Sequence, residues 1–311
     1  MSKFFVVGDV TVDQMYFVKQ LPEKGGETNV TKAVLEPGGA AGTMATILAK
    51  LGNEVKLASS LGTGAFADLA LSEIIKSGVD TTNIQYNNEK QTSSVTLLIT
   101  PDGERTMISS AGASRKLDPA KIDKAGIESS NALVMSAYSF IGGLQREYSL
   151  LAFDIAKKAG VKIFVDMGSG AVNALEDSLL PLVKGADYLM MNEHELFKLT
   201  SQDSISDAVL DLAKHGNENL IVKLGPMGSM VITPEETELI EAIELDNIID
   251  TTGAGDNYAA TFAHCVIKGK SLFEAAFCAN VAGALSATKI SAQKTEISEA
   301  ILASFLKEYL V

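Results

Sequence analysis

The residue types best suited to chemistry lie in one stretch, Asp250-Thr251-Thr252-Gly253-Ala254-Gly255-Asp256. Gly253 and Gly255 let a backbone turn tightly and bring bare N–H groups close to a ligand. The residues that follow, Asn257 to Ile267, read as a helix, which puts the turn at a helix N-terminus. Unpaired N–H groups and the positive end of the helix dipole favour an anion there. Asp256 falls in the first helical turn, where a carboxylate is kept charged. An anion cradle with a carboxylate beside it fits phosphoryl transfer to an alcohol. The N–H groups of residues 253–256 would steady charge on the moving phosphoryl while Asp256 takes the hydroxyl proton. The same residues also fit a plain junction in which the branched, apolar run Ile243 to Ile249 is a strand and Asp256 only an N-terminal charge.

Such a turn needs a scaffold, and the chain supplies strand and helix patterns in alternation. Residues 4–8 read as a buried strand, with Asp13 shortly after its C-terminal end, where open α/β sheets bind ligands. Residues 16–34 alternate apolar and polar around a Pro22 to Glu27 turn, as an exposed ribbon does. Gly38 and Gly39 precede a helix over Met44 to Leu51 and permit close backbone approach to a ligand. Residues 92–100 and 104–110 read as a hairpin joined by Pro101-Asp102-Gly103. Arg105 there is placed either to reach an acceptor or to decorate an edge strand. From about residue 131 strands and helices alternate: Ala132–Ala137, Gln145–Ala159, Val161–Asp166 and Asp187–Met191, which predicts a doubly wound, mainly parallel sheet with helices on both faces. Asp166 ends one strand and points at the ligand edge. Asn192 and Glu195 share one side of the next helix; they can order waters around Mg²⁺ or form a capping box. Leu220–Leu224 and Ser229–Thr233 read as strands about a tight Gly225 to Gly228 turn. Two helices, Leu272–Lys289 and Ile297–Leu310, complete one domain over residues 1–311.

Composition bounds the partners. The chain has 311 residues, 46% of them apolar, enough for a sizeable core. A net charge of −13 argues against nucleic acid or an anionic membrane. No apolar run reaches the ~18 residues of a membrane span. Cys265 and Cys278 lack metal or redox spacing and read as reduced core thiols of a cytoplasmic protein. The N-terminus runs straight into a strand-like segment, so no signal peptide is expected. Gly62-Thr63-Gly64 opens a G-x-G-x-x-A with Asp80 downstream, which raises a dinucleotide-binding oxidoreductase as an alternative. That alternative leaves residues 250–256 without a role.

Taken together, DTTGAGD and the motifs before it resemble the ribokinase-like, or PfkB, family of carbohydrate kinases across nearly the whole chain. The resemblance implies ATP and Mg²⁺ as cofactors and a sugar as acceptor, with a nucleoside as a close variant. It implies that Asp13, Gly38 and Gly39 hold the acceptor, and that a small β-sheet lid forms from about 12–35 and 92–110. Lys223, Gly225 and Gly228 match its nucleotide-side loop, Asn280 lies near the adenine, and Asn192 and Glu195 match its N-x-x-E. Asp250 and the loop at Ser291 match a K⁺ site behind the turn. A lid with free edges also implies a homodimer. The chain departs from the family pattern in several places. Thr43 stands in place of an Asn, only Gly62 survives of a Gly-x-Asp-x-x-Gly, Tyr138 replaces an acidic residue, and Ser291 stands where Gly is common. A protein that kept the fold and lost turnover would have no use for Asp256, so a non-catalytic sugar binder is the weaker alternative.

Overall fold

The computed structural model describes residues 1–309 other than Gly103 and Glu218. The expected turn residue Gly103 and the last residue of the expected helix 297–310 therefore lie outside the described residues. Thirteen strands are found there: β1 (Lys3–Val7), β2 (Thr11–Val18), β3 (Val30–Gly38), β4 (Glu54–Leu61), β5 (Ile84–Tyr86), β6 (Ser94–Ile99), β7 (Arg105–Ser110), β8 (Ala132–Ser136), β9 (Lys162–Asp166), β10 (Tyr188–Asn192), β11 (Leu220–Lys223), β12 (Ser229–Ile232) and β13 (Thr237–Ile240). Nine of them form one sheet in the order β13-β12-β11-β10-β9-β8-β1-β4-β5, parallel from β11 to β5 and antiparallel at the β12 and β13 edge.

The central strands are apolar through their middles because both faces are covered, with polar residues at their ends. Period two divides their side chains: Phe4 and Val6 enter one core cluster, Phe5 and Val7 the other. Helices Ala40–Lys50, Ala254–Ile267 and Leu272–Ala287 close the first cluster; Gly143–Ala159, Glu193–Thr200 and Ile205–Lys214 close the second. This is the doubly wound arrangement expected from the sequence.

The other four strands form a separate sheet, β3-β2-β6-β7, in which β2 and β6 run parallel. Its rows alternate between two faces. Asp13, Met15 and Phe17 of β2 lie on the face that also carries Leu97 and, opposite Ile99, Arg105. Leu35 and Ile108 flank Gln14 and Thr96 on the other face, where they are 46% and 62% exposed.

Two local expectations are corrected. Ile243 to Ile249 is not a strand. Ile249 and Asp250 both donate their N–H to the Ala287 carbonyl, at 2.7 and 3.1 Å, so one helix-end acceptor takes the place of a ladder. Ile248 and Ile249 remain exposed and have no face to bury. The helix expected from Met44 instead starts at Ala40, directly after Gly39. Among the described residues no helix is long and apolar enough to cross a membrane.

Candidate active site

The parallel strands deliver their last residues to one edge. Asp166 closes β9, Asn192 closes β10 and Lys223 closes β11, with Asn192 level with Lys223 across the ladder. This is the edge at which open α/β sheets hold ligands. Lys223 Nζ donates to Asp166 Oδ1 at 2.5 Å, and both side chains are largely buried. A side-chain carbon on Gly255 would come within 3.0 Å of the same Nζ, so the ammonium lies against the glycine turn.

That turn caps helix Ala254–Ile267. Gly253 is left-handed (φ 75°), and a Cβ there would fall 2.2 Å from the Ala292 side chain, so the turn requires glycine twice over. Asn257, wholly buried, stitches it down: its Nδ2 donates to Gly253 O at 2.9 Å and to Ala292 O at 3.3 Å. The N–H of Ala254 is spent inside the turn, on Thr251 O at 3.2 Å, which removes it from the expected anion-binding set. Those of Gly253, Gly255 and Asp256 find no partner among the described residues.

Asp256 faces an acidic surrounding. Burial pushes its carboxyl up to about 7; Asp166, Asp13 and Glu195 push the same way, and Lys223 opposes them. Asp13 is pushed up to about 6, by burial first, with the Thr11 hydroxyl bond opposing at 2.9 Å and Asp250 and Glu36 adding to the rise. Burial likewise raises Asp166. Lys223 loses to burial but gains more from Asp166, Glu195 and Asp256, so its ammonium is held above the usual range. Three carboxylates, Asp166, Glu195 and Asp256, act on this one ammonium, and the surplus negative charge is relieved by proton uptake or by a bound cation.

Asp13, Gly38, Gly39, Thr43, Gly253 and Asp256 line a common cavity of about 30 Å³. Gly38 leaves room at its rim for the Asp13 carboxyl, which a Cβ there would approach to 2.3 Å. Thr43, 2% exposed, lies one turn into the helix and gives its N–H to Gly39 O at 2.9 Å. The acceptor-side residues expected from the sequence are therefore brought together, except Arg105. Its guanidinium donates instead to Asp250, Thr251 and Thr252, ahead of the turn.

The remaining expectations divide. Asn192 and Glu195 form a full capping box, Oδ1 accepting from Glu195 N at 2.8 Å and Glu195 Oε2 from Asn192 N at 2.9 Å. Ser169 donates to Glu195 Oε1 at 2.8 Å. Each carboxylate oxygen keeps a free lone pair, which fits a cation held through water. Among the described residues no three His, Cys, Asp or Glu side chains converge to hold a metal directly. Gly225 and Gly228 bracket the turn between β11 and β12, the latter against Ile240 O. Asn280 commits its amide to Ile240 O and Glu241 O at 3.0 and 3.2 Å, so it shapes the wall rather than offering donors to a ligand. At the expected K⁺ site one side-chain oxygen is already engaged. Asp250 Oδ1 already accepts from Arg105 at 3.2 Å and from Thr252 N at 2.9 Å, although Ser291 Oγ is buried without a partner. Asp80, the acid the dinucleotide fingerprint would use, is spent on Thr82 N and Oγ1 within its own turn.

Sequence reasoning matched the loop at Ser291 only to a K⁺ site and missed that it braces the acceptor side. Gln293, wholly buried, donates to Gly38 O at 3.1 Å, and Lys294 pairs with Glu36 of β3 at 2.5 Å. Only a polar cluster in a C-terminal stretch could have signalled it. Buried Asn257 had a fainter signal, one amide in an apolar helix.

A doubly wound sheet with an acid, an ammonium and a glycine turn at its carboxyl edge defines a small-molecule phosphotransferase. Comparisons with known proteins agree. The pattern described as "pfkB family carbohydrate kinase" matches residues 1–299. The chain is 26% identical to ribokinase of Haemophilus influenzae over 93% of this chain and 94% of that one. It is 27% identical to an ATP-dependent ribose-1-phosphate kinase of Halopiger xanaduensis, over 99% of each. Arabidopsis thaliana ribokinase, solved with ribose and ATP, superposes with a TM-score of 0.87 at 25% identity over 99% of both chains. The chain belongs to the PfkB family of carbohydrate kinases. The oxidoreductase alternative falls with that finding.

Proposed function

We propose that this protein transfers the γ-phosphoryl group of ATP to a hydroxyl of a sugar seated between Asp13 and Asp256. The observation that carries the reading is the cavity that both carboxylates share with the glycine turn. Asp13 accepts hydrogen bonds from neighbouring hydroxyls, as a carboxylate can from a vicinal diol. Asp256 stands where the reacting hydroxyl would lie. Its raised pKa keeps it a competent base near neutrality. The hydroxyl proton passes to Asp256, the sugar oxygen bonds to phosphorus, and the bond to the ADP oxygen breaks. The free N–H groups of Gly253, Gly255 and Asp256 hold the charge on the moving group. Lys223 faces the turn from the nucleotide side beside Gly225 and Gly228. Mg²⁺, held through water by Asn192 and Glu195, would neutralise the phosphates. Arg105 and Asp250 take no ligand in this reading, and K⁺ at Ser291 is not carried into it.

The small sheet acts as a lid over the acceptor. Its outer face, with Leu35 and Ile108 exposed, supports a homodimer through lid-to-lid packing. Light scattering that gives one protomer at high micromolar concentration refutes that assembly. Free, buried Cys265 and Cys278 suit a reducing, cytoplasmic setting. Release of ADP, measured across a panel of sugars and nucleosides, tests the activity. A sugar that accelerates release in wild type but not in Asp256→Asn supports it, and release indifferent to every acceptor refutes it.

A further inference from the structure

The small sheet touches the reacting turn through Arg105. This residue sits opposite Ile99 on β7, in line with Phe17, and shares its face with Asp13 four residues nearer the base of the sheet. That is a lever arm of about 13 Å at the usual rise per residue. At its tip Nη1 donates to Asp250 Oδ1 at 3.2 Å and to Thr252 Oγ1, and Nη2 donates to Thr251 Oγ1 at 2.8 Å. One planar group thus holds three consecutive residues. The pair is sheltered, with side-chain exposures of 28% for Arg105 and 13% for Asp250. Among the described residues the far side of the segment hangs on the Ala287 carbonyl, through Ile249 and Asp250 N–H, and Gly253 follows shortly after. Asp250 without its partner would be a half-buried carboxylate beside the site where phosphoryl charge collects.

We infer that Arg105 is a positioning residue for phosphoryl transfer. Its guanidinium is the fixed cation that neutralises Asp250 and sets residues 250–252, in the place where the resemblance expects K⁺. Because it rides on the small sheet, the N–H turn is fully set only when that sheet is seated. The inference rests on the turn being the anion hole.

The test compares wild type, Arg105→Ala and Arg105→Lys in K⁺ and in tetramethylammonium at matched ionic strength. Wild type should turn over equally in both salts. Arg105→Ala should lose roughly ten- to a hundred-fold in kcat, the worth of a hydrogen bond to a charged group, with the acceptor KM unchanged or lower. Added K⁺ or guanidinium ion should restore part of that rate, and K⁺ should raise the melting temperature of this variant beyond its effect on wild type. Arg105→Lys, which keeps the charge and loses the fork, should fall between, and it carries the test alone if Arg105→Ala does not fold. Wild-type kcat in the variants overturns the inference. So does a defect confined to a raised acceptor KM, or a wild type that requires K⁺. Failure of the proposed reaction at this turn is seen separately, as ADP release indifferent to every acceptor in wild type, and failure of the base assignment as Asp256→Asn retaining more than about a tenth of turnover.

Discussion

Replacing Asp256 by Asn should cost activity and add stability, with the second effect set by pH. A carboxyl moved from 3.8 to about 7 binds its proton more tightly in the folded chain than in the unfolded one. Between those values the unfolded state gives up a proton that the folded state keeps, so stability falls as pH rises. The penalty is absent below about pH 4 and complete above about pH 7. At ~1.4 kcal/mol per pH interval its ceiling is about 4 kcal/mol. Asp256 keeps some solvent contact and Lys223 stands close, which brings the expected gain in Asp256→Asn at pH 8 to about 1–3 kcal/mol. For a chain of this size that is roughly 2–6 °C in melting temperature. At pH 5 about a third should remain. Turnover should fall ~10²–10⁴-fold, the usual worth of a general base. Thermal denaturation at pH 5 and pH 8, paired with ADP release, checks both halves. A melting difference that is equal at the two pH values refutes the assignment of the raised pKa to Asp256.

Three further outcomes follow from the same geometry. In wild type, kcat/KM should rise with pH through about 7, because Asp256 must lose its proton before it can accept one; a flat profile from pH 6 to 8 contradicts this. Asp13→Ala should raise the acceptor KM roughly ten- to a hundred-fold and leave the ATP KM unchanged, and the reverse pattern would mean that the two halves of the site are exchanged. Gly38→Ala puts a methyl group 2.3 Å from the Asp13 carboxyl and should mimic Asp13→Ala in acceptor KM while the fold, followed by circular dichroism, is retained.

The sheet was legible because buried parallel strands are apolar through their middles and their helices carry one apolar stripe. DTTGAGD was legible for a different reason: its glycines and acid ahead of a helix match the signature of the family. The segment before it was not. Branched residues predict a strand at Ile243 to Ile249, yet a strand also needs a free edge and a face to bury, and neither is readable from side-chain type. Arg105 shows the same limit. Its place on an edge strand was visible, whereas its partner lies 145 residues away and depends on how one sheet settles over another. Likewise the loop at Ser291 was matched only to a K⁺ site, because the work of Gln293 and Lys294 is done on backbone and lid atoms that only tertiary structure brings near.

The hollow between Asp13 and Asp256, about 30 Å³, is smaller than a sugar. A sugar therefore cannot bind this arrangement as it stands, and the measured affinity must be the intrinsic one multiplied by the fraction of molecules already open. Selectivity among acceptors is untouched by that factor, since every sugar meets the same closed population. Absolute affinity is not. Substitutions at the contacts that hold the small sheet down, such as Glu36 with Lys294, would shift binding of all acceptors together without meeting any of them. Natural variation in apparent affinity among such kinases can thus arise in residues that no sugar ever touches.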